Sequence, residues 1–146
     1  MRSFGFWLSH PSSSASRTHS LDSLTRRRII LGISACALVP LGLFLRFLPW
    51  GLVADLAGGV LYAALIYVVV AFIVPTRSWL TVGAWALGWC VAVELLQLTS
   101  LPREAAALFP PSRLVLGTGF AAMDLLAYIV GALTAALADR AARRRT

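Results

Sequence analysis

Three carboxylates stand where carboxylates are costly. Asp55, Glu94 and Asp124 each interrupt an otherwise apolar stretch. Gln97 lies three residues after Glu94, Tyr128 lies four after Asp124, and Arg46 and Arg113 stand at the edges of the apolar runs. Two carboxyls held in different surroundings can divide acid and base roles, and Glu94 with Asp124 would be that pair. An arginine fork matches phosphate and carboxylate groups, so the arginines point instead to an anionic ligand. Thr99, Ser100, Ser112 and Thr118 are ordinary loop hydroxyls with no histidine nearby, which leaves an enzyme without a nucleophile. Cys36 and Cys90 are far apart and lack the spacing of a metal site. The expected ligand-binding set is therefore Arg46, Asp55, Glu94, Gln97, Arg113, Asp124 and Tyr128. No catalytic residue, metal or cofactor is expected.

What holds these residues must be a membrane bundle. The chain has 146 residues, 59% hydrophobic and only 13% charged, against about 25% charge in soluble domains. So small a domain cannot bury that apolar surplus, because its surface is too large for its volume. Four apolar runs, 29–48, 53–74, 79–98 and 120–138, are each close to the ~20 residues of a spanning helix. Helices alone satisfy their own backbone in lipid, so the expected fold is all-α: an integral membrane bundle of four transmembrane helices. Pro75 opens a tight turn between the second and third runs, and Pro40 falls inside the first. "PREAAALF", after the third run, reads as a short interfacial helix starting at its proline. Residues 1–28, rich in Ser and Arg, read as a disordered tail, 29–138 as the membrane domain and 139–146 as a basic tail. "TRRRII" and "ISAC" imitate export and lipoprotein signals, but the apolar stretch between them is too short for an export core.

All 13 basic residues are arginine. With both termini cytoplasmic, ten of the 13 fall inside, and Arg46, Arg103 and Arg113 fall outside. The positive-inside rule favours this orientation, and it explains the net charge of +7 without nucleic acid. Asp55, Glu94 and Asp124 then all lie within about one turn of the outer boundary, and the cytoplasmic halves of the spans carry no ionisable group. Rows of small residues, Ala84–Gly88–Ala92 in the third run and Ala127–Gly131–Ala135 in the fourth, predict close helix contacts. Asp55, Gly58, Gly59 and Tyr62 share one face of the second helix, as do Asp124, Ala127, Tyr128 and Gly131 in the fourth.

"VELLQL" (93–98) with "RLVLGTGFAAMDLLAY" (113–128) resembles the small bacterial membrane proteins of domain-of-unknown-function family 2809, distantly similar to VanZ-like proteins. "LRFLP" (45–49) and "ADLAGGVLYAALIY" (54–67) resemble its earlier blocks. The resemblance implies a multi-pass protein of the bacterial inner membrane and, through the VanZ-like relation, an envelope role. No activity comes with it.

Four arrangements fit these residues. The polar groups could form a charge-paired cap, with Arg46 on Asp55 and Arg103 or Arg113 on Glu94 or Asp124, since intramembrane charges are usually paired. They could form a non-catalytic binding or scaffold site for a lipid headgroup or a lipid-linked envelope component. Glu94 and Asp124 could serve a membrane enzyme acting on such a lipid-linked substrate. The chain could also be a small transporter subunit, with Tyr62, Tyr67 and Cys90 as its mildly polar positions.

Overall fold

The computed structural model describes residues 13–46, 48–117 and 119–144, with side chains from Leu21 onward except that of Arg46. Every regular element among them is helical. α1 is Ser13–Arg46, α2 Leu52–Ile73 and α3 Trp79–Leu96. α4 is Leu101–Leu108, a single 3-10 turn is Pro110–Ser112, α5 is Arg113–Leu116 and α6 is Ala122–Arg143. Four helices are long and apolar enough to cross a membrane: the Leu21–Leu45 part of α1, then α2, α3 and α6. These match the four apolar runs, and the chain is a multi-pass membrane protein.

Local chemistry explains the boundaries. Ser78 caps α3, its Oγ accepting from the Thr81 N–H at 3.1 Å, so the Pro75 turn leads directly into the next helix. Pro102 sits in the first turn of α4, where its missing N–H costs nothing. Gly51 takes a φ of 49° before α2, a left-handed backbone that suits glycine. Pro40 lies inside α1, which continues past it to Arg46.

α2 is the central helix, packed against α1, α3 and α6. Its contact with α6 is the closest. A Cβ added at Gly131 would strike the Val60 carbonyl, and one added at Gly59 would lie 3.0 Å from the Ala127 Cβ. Between helices in lipid, such backbone approach and its dispersion contacts replace the hydrophobic drive available in water. The Ala127–Gly131–Ala135 row thus faces the bundle as its spacing predicted.

The corresponding expectation for α3 fails. Ala84, Gly88 and Ala92 are exposed, and nothing lies within 4 Å of a Cβ built on Gly88. The face that packs carries Val82, Ala86, Cys90 and Glu94, all fully buried. α3 is apolar all round, so periodicity could not separate its bundle face from its lipid face.

Two tail boundaries also shift. α1 is helical from Ser13, although composition assigned 1–28 to disorder; once a span has nucleated a helix, each further residue adds one bond at little cost. Residues 1–12 lie outside the described residues. α6 stays helical through Asp139 to Arg143, into the segment expected as a basic tail.

Candidate functional site

Glu94 lies in the last turn of α3 and is fully buried. Tyr128, on α6, donates its hydroxyl to Glu94 Oε1 at 2.8 Å. The Ala121 N–H donates to Oε2 at 3.3 Å. Ala121 is the N-cap residue of α6 and supplies no side-chain cap. Glu94 therefore does from α3 what a capping side chain would do locally, and sets a carboxylate against the positive end of the α6 dipole.

Two neighbours treat the same segment alike. Gln97, at the C-terminal cap of α3, donates its Nε2–H to the Leu116 carbonyl at 2.7 Å. Tyr62, on α2, donates to the Val115 carbonyl at 2.8 Å and accepts from the Trp89 indole N–H at 3.0 Å. Gly117 has a φ of 63°, and its α-carbon presses so closely on the Gln97 amide that a Cβ there would collide with it. The tyrosine rings of Tyr62 and Tyr128 meet with centroids 5.9 Å apart. Three side chains from α2 and α3 thus hold the backbone at Val115, Leu116 and Ala121, at the end of α5 and the entry to α6. Irregular backbone near a bilayer survives only where its polar groups find partners in the protein.

Of the expected set, the structure brings Glu94, Gln97 and Tyr128 together in this clamp. Asp124, in the first turn of α6, is half-buried and within electrostatic range of Glu94 and Asp55. Asp55 is exposed in the first turn of α2. Arg113 is exposed at the start of α5. Arg46 ends α1, and its side chain lies outside the described residues. Pairing of Glu94 with Arg103 or Arg113 is corrected: among the described residues the ion pairs are Arg27–Asp139 and Arg143–Asp139. Neutral donors fill both Glu94 oxygens, and both arginines stay at the surface. Tyr62, Trp89 and the Ala121 N–H were missing from the expected set. Tyr62 was visible on the face it shares with Gly58 and Gly59, whereas a backbone donor leaves no mark in a sequence.

A family model described as "Protein of unknown function (DUF2809)" matches residues 48–132. The chain belongs to this family. No curated protein and no solved structure matched it. The DUF2809 match takes in α2, α3, the α4–α5 segment and the first half of α6, so it contains every member of the Glu94 clamp.

A second polar cluster, at the opposite end of the bundle, has its charged members outside the DUF2809 match. Arg27 of α1 places Nη2 3.1 Å from both Asp139 oxygens, and its Nη1 bonds to the Pro75 carbonyl. Tyr67 of α2 donates to Asp139 Oδ2 at 2.8 Å, and Arg143 closes the group through Nε at 3.0 Å. This corrects the expectation that no ionisable group lies in that half of the spans. The signal was present: Asp139 continues the Ala127–Gly131–Ala135 row by one more turn, and Arg143 follows at helical spacing.

Proposed function

We propose that the chain is a non-catalytic binding or scaffold protein of the bacterial inner membrane, associated with the envelope, with both termini cytoplasmic and the Glu94 end at the outer leaflet. The observation that carries this reading is the division of labour at that end. Glu94 is fully buried and its two oxygens are occupied in holding α6 and residues 115–121 in place. A carboxyl so committed is poorly placed to exchange protons with a substrate, and its use supports a rigid cap over an acid/base site. Arg103 in α4 and Arg113 at the start of α5 are exposed on that cap, with no ion-pair partner among the described residues. Leu101, Leu108, Phe109 and Leu114 of the same segment are also exposed, a composition suited to lying in the headgroup layer. Arginines there suit the phosphate of a lipid headgroup or of a lipid-linked envelope component.

The test has two arms. Reporter fusions after residue 28 and after residue 146 should both report the cytoplasmic side; a periplasmic signal from either overturns the orientation. Mass spectrometry of lipids retained by the protein extracted from its own membrane should find a phosphate-bearing lipid that the double variant Arg103→Gln, Arg113→Gln loses. Equal retention by that variant overturns the assignment to this end.

A further inference from the structure

The three consecutive arginines of α1 do different things. At about 100° per residue, Arg27 turns onto Asp139 and the Pro75 carbonyl, whereas Arg28 turns toward α2 and lies over the Phe72 ring, 6.0 Å from its centroid. Arg28 lines two adjoining open depressions of the surface. One, of about 490 Å³, lies at the end of the bundle, where Thr25 and Arg28 meet Val74, Pro75, Thr76 and Arg77. The other, of about 620 Å³, continues between α1 and α2 along Ile29, Gly32, Ile33, Cys36 and Phe72. Thr25 and Arg28 line both. Neither Arg28 nor Arg77 has an ion-pair partner among the described residues, and both are exposed.

We infer that this groove holds one anionic phospholipid, its phosphate between Arg28 and Arg77 and an acyl chain along Gly32, Cys36 and Phe72. Three features of the groove select that occupant. It opens on the side of two helices that are apolar and long enough to span, so its apolar part faces lipid. From Thr25 to Cys36 it runs about 16 Å at ~1.5 Å per residue, close to half of a ~30 Å hydrocarbon core, which is the depth of one leaflet. Its charge is confined to the mouth and is positive, complementary to a headgroup phosphate. Gly32 keeps the floor low: a Cβ there would touch only Phe72, at 3.8 Å.

The experiment is native mass spectrometry of the full chain in micelles containing equal amounts of phosphatidylglycerol and phosphatidylcholine. The protein should retain phosphatidylglycerol in preference. Arg28→Gln with Arg77→Gln should lower that preference roughly thirtyfold, the order expected for two arginines at a lipid surface. The alkylation of Cys36 described below reports on this groove alone, which separates it from any lipid held at the Glu94 end. Gly32→Leu should reduce retention of both lipids by filling the floor. An arm on the unmodified chain needs no variant to fold: Cys36 is exposed in the groove and Cys90 is buried. Phosphatidylglycerol should slow alkylation of Cys36 by N-ethylmaleimide more than phosphatidylcholine does, with Cys90 as the internal reference. Equal retention of the two lipids, a preference that survives loss of Arg28 and Arg77, or Cys36 alkylation indifferent to phosphatidylglycerol would each overturn the inference.

Discussion

Asp139 and Glu94 are both carboxylates drawn in among helices, at opposite ends of one bundle, and the protein accommodates them by different means. Asp139 is gripped by Arg27 and Arg143 and takes a third bond from Tyr67. Glu94 is more deeply buried, yet its partners are a phenol and a peptide N–H. The first arrangement ties α1 to α2 and α6 through charge, where the long arginine side chains can still reach the surface. The second ties α3 to the start of α6 through neutral donors, with no arginine among the described residues on Glu94. What separates them is the job each acid does. Asp139 fastens a helix that otherwise packs mainly on α2, and Glu94 satisfies backbone that has left its helix.

The largest effect should follow from breaking the charged end. Asp139→Ala leaves Arg27 and Arg143 facing each other without their anion. The cost should be about 3–5 kcal/mol, the range for stripping one member from a buried ion pair, and should appear as a lower melting temperature in detergent. Arg27→Gln with Asp139→Asn should cost less than Asp139→Ala alone, because it also removes one of the two guanidiniums that share the Asp139 anion. A double variant that is worse than the single one would show that this network does more than fasten α1.

Glu94→Ala comes next. It orphans the Tyr128 hydroxyl and the Ala121 N–H together, and about 2–3 kcal/mol is expected from unsatisfied buried groups of this kind. The loss should be local as well as global. Amide exchange of Ala121 and the first turn of α6 should accelerate, whereas Asp139→Ala should leave those amides protected. Acceleration in both variants would mean that the two ends are one cooperative unit.

Tyr128→Phe should cost about 1 kcal/mol, since it removes one donor and leaves Glu94 the Ala121 N–H. It sharpens the comparison, because Tyr67→Phe at the other end removes the analogous phenol from a carboxylate that keeps two arginines. The Tyr67 variant should be the milder of the two.

Depth along the membrane axis was legible in the sequence, and direction around it was not. The four spans appear in hydropathy because ~20 apolar residues have few other uses. Glu94, Gln97 and Tyr128 stood out because each is polar at a depth where polarity is costly. Gly88 shows the limit: on a helix apolar all round, a small residue marks lipid as readily as a partner helix, and Gly88 is exposed with nothing within 4 Å of a Cβ built on it. Asp139 was passed over because hydropathy falls where the arginines begin, although the helix does not end there. The Ala121 N–H could not be seen at all. Every residue but proline has one, and only the path of 115–121 decides which of them needs an acid.

The smallest expected effect bears most directly on why Glu94 is where it is. Charge complementarity would pair it with Arg113 or Arg103, and such a pair would make each arginine costly to remove. The structure leaves both arginines exposed and fills the carboxylate from within. Arg113→Gln and Arg103→Gln should therefore each change stability by no more than about 0.5 kcal/mol, as for surface changes that touch no special feature. The double-mutant cycle of each with Glu94→Gln should be additive within about 0.5 kcal/mol, the behaviour of sites that share no partner. A coupling energy of 1 kcal/mol or more would place an arginine on Glu94. The two ends of the bundle would then share one solution, and the neutral clamp on 115–121 would lose its claim to explain the buried acid. Additivity leaves Arg103 and Arg113 stabilising nothing within the chain, so any loss of lipid binding in their variants reports on the surface they present.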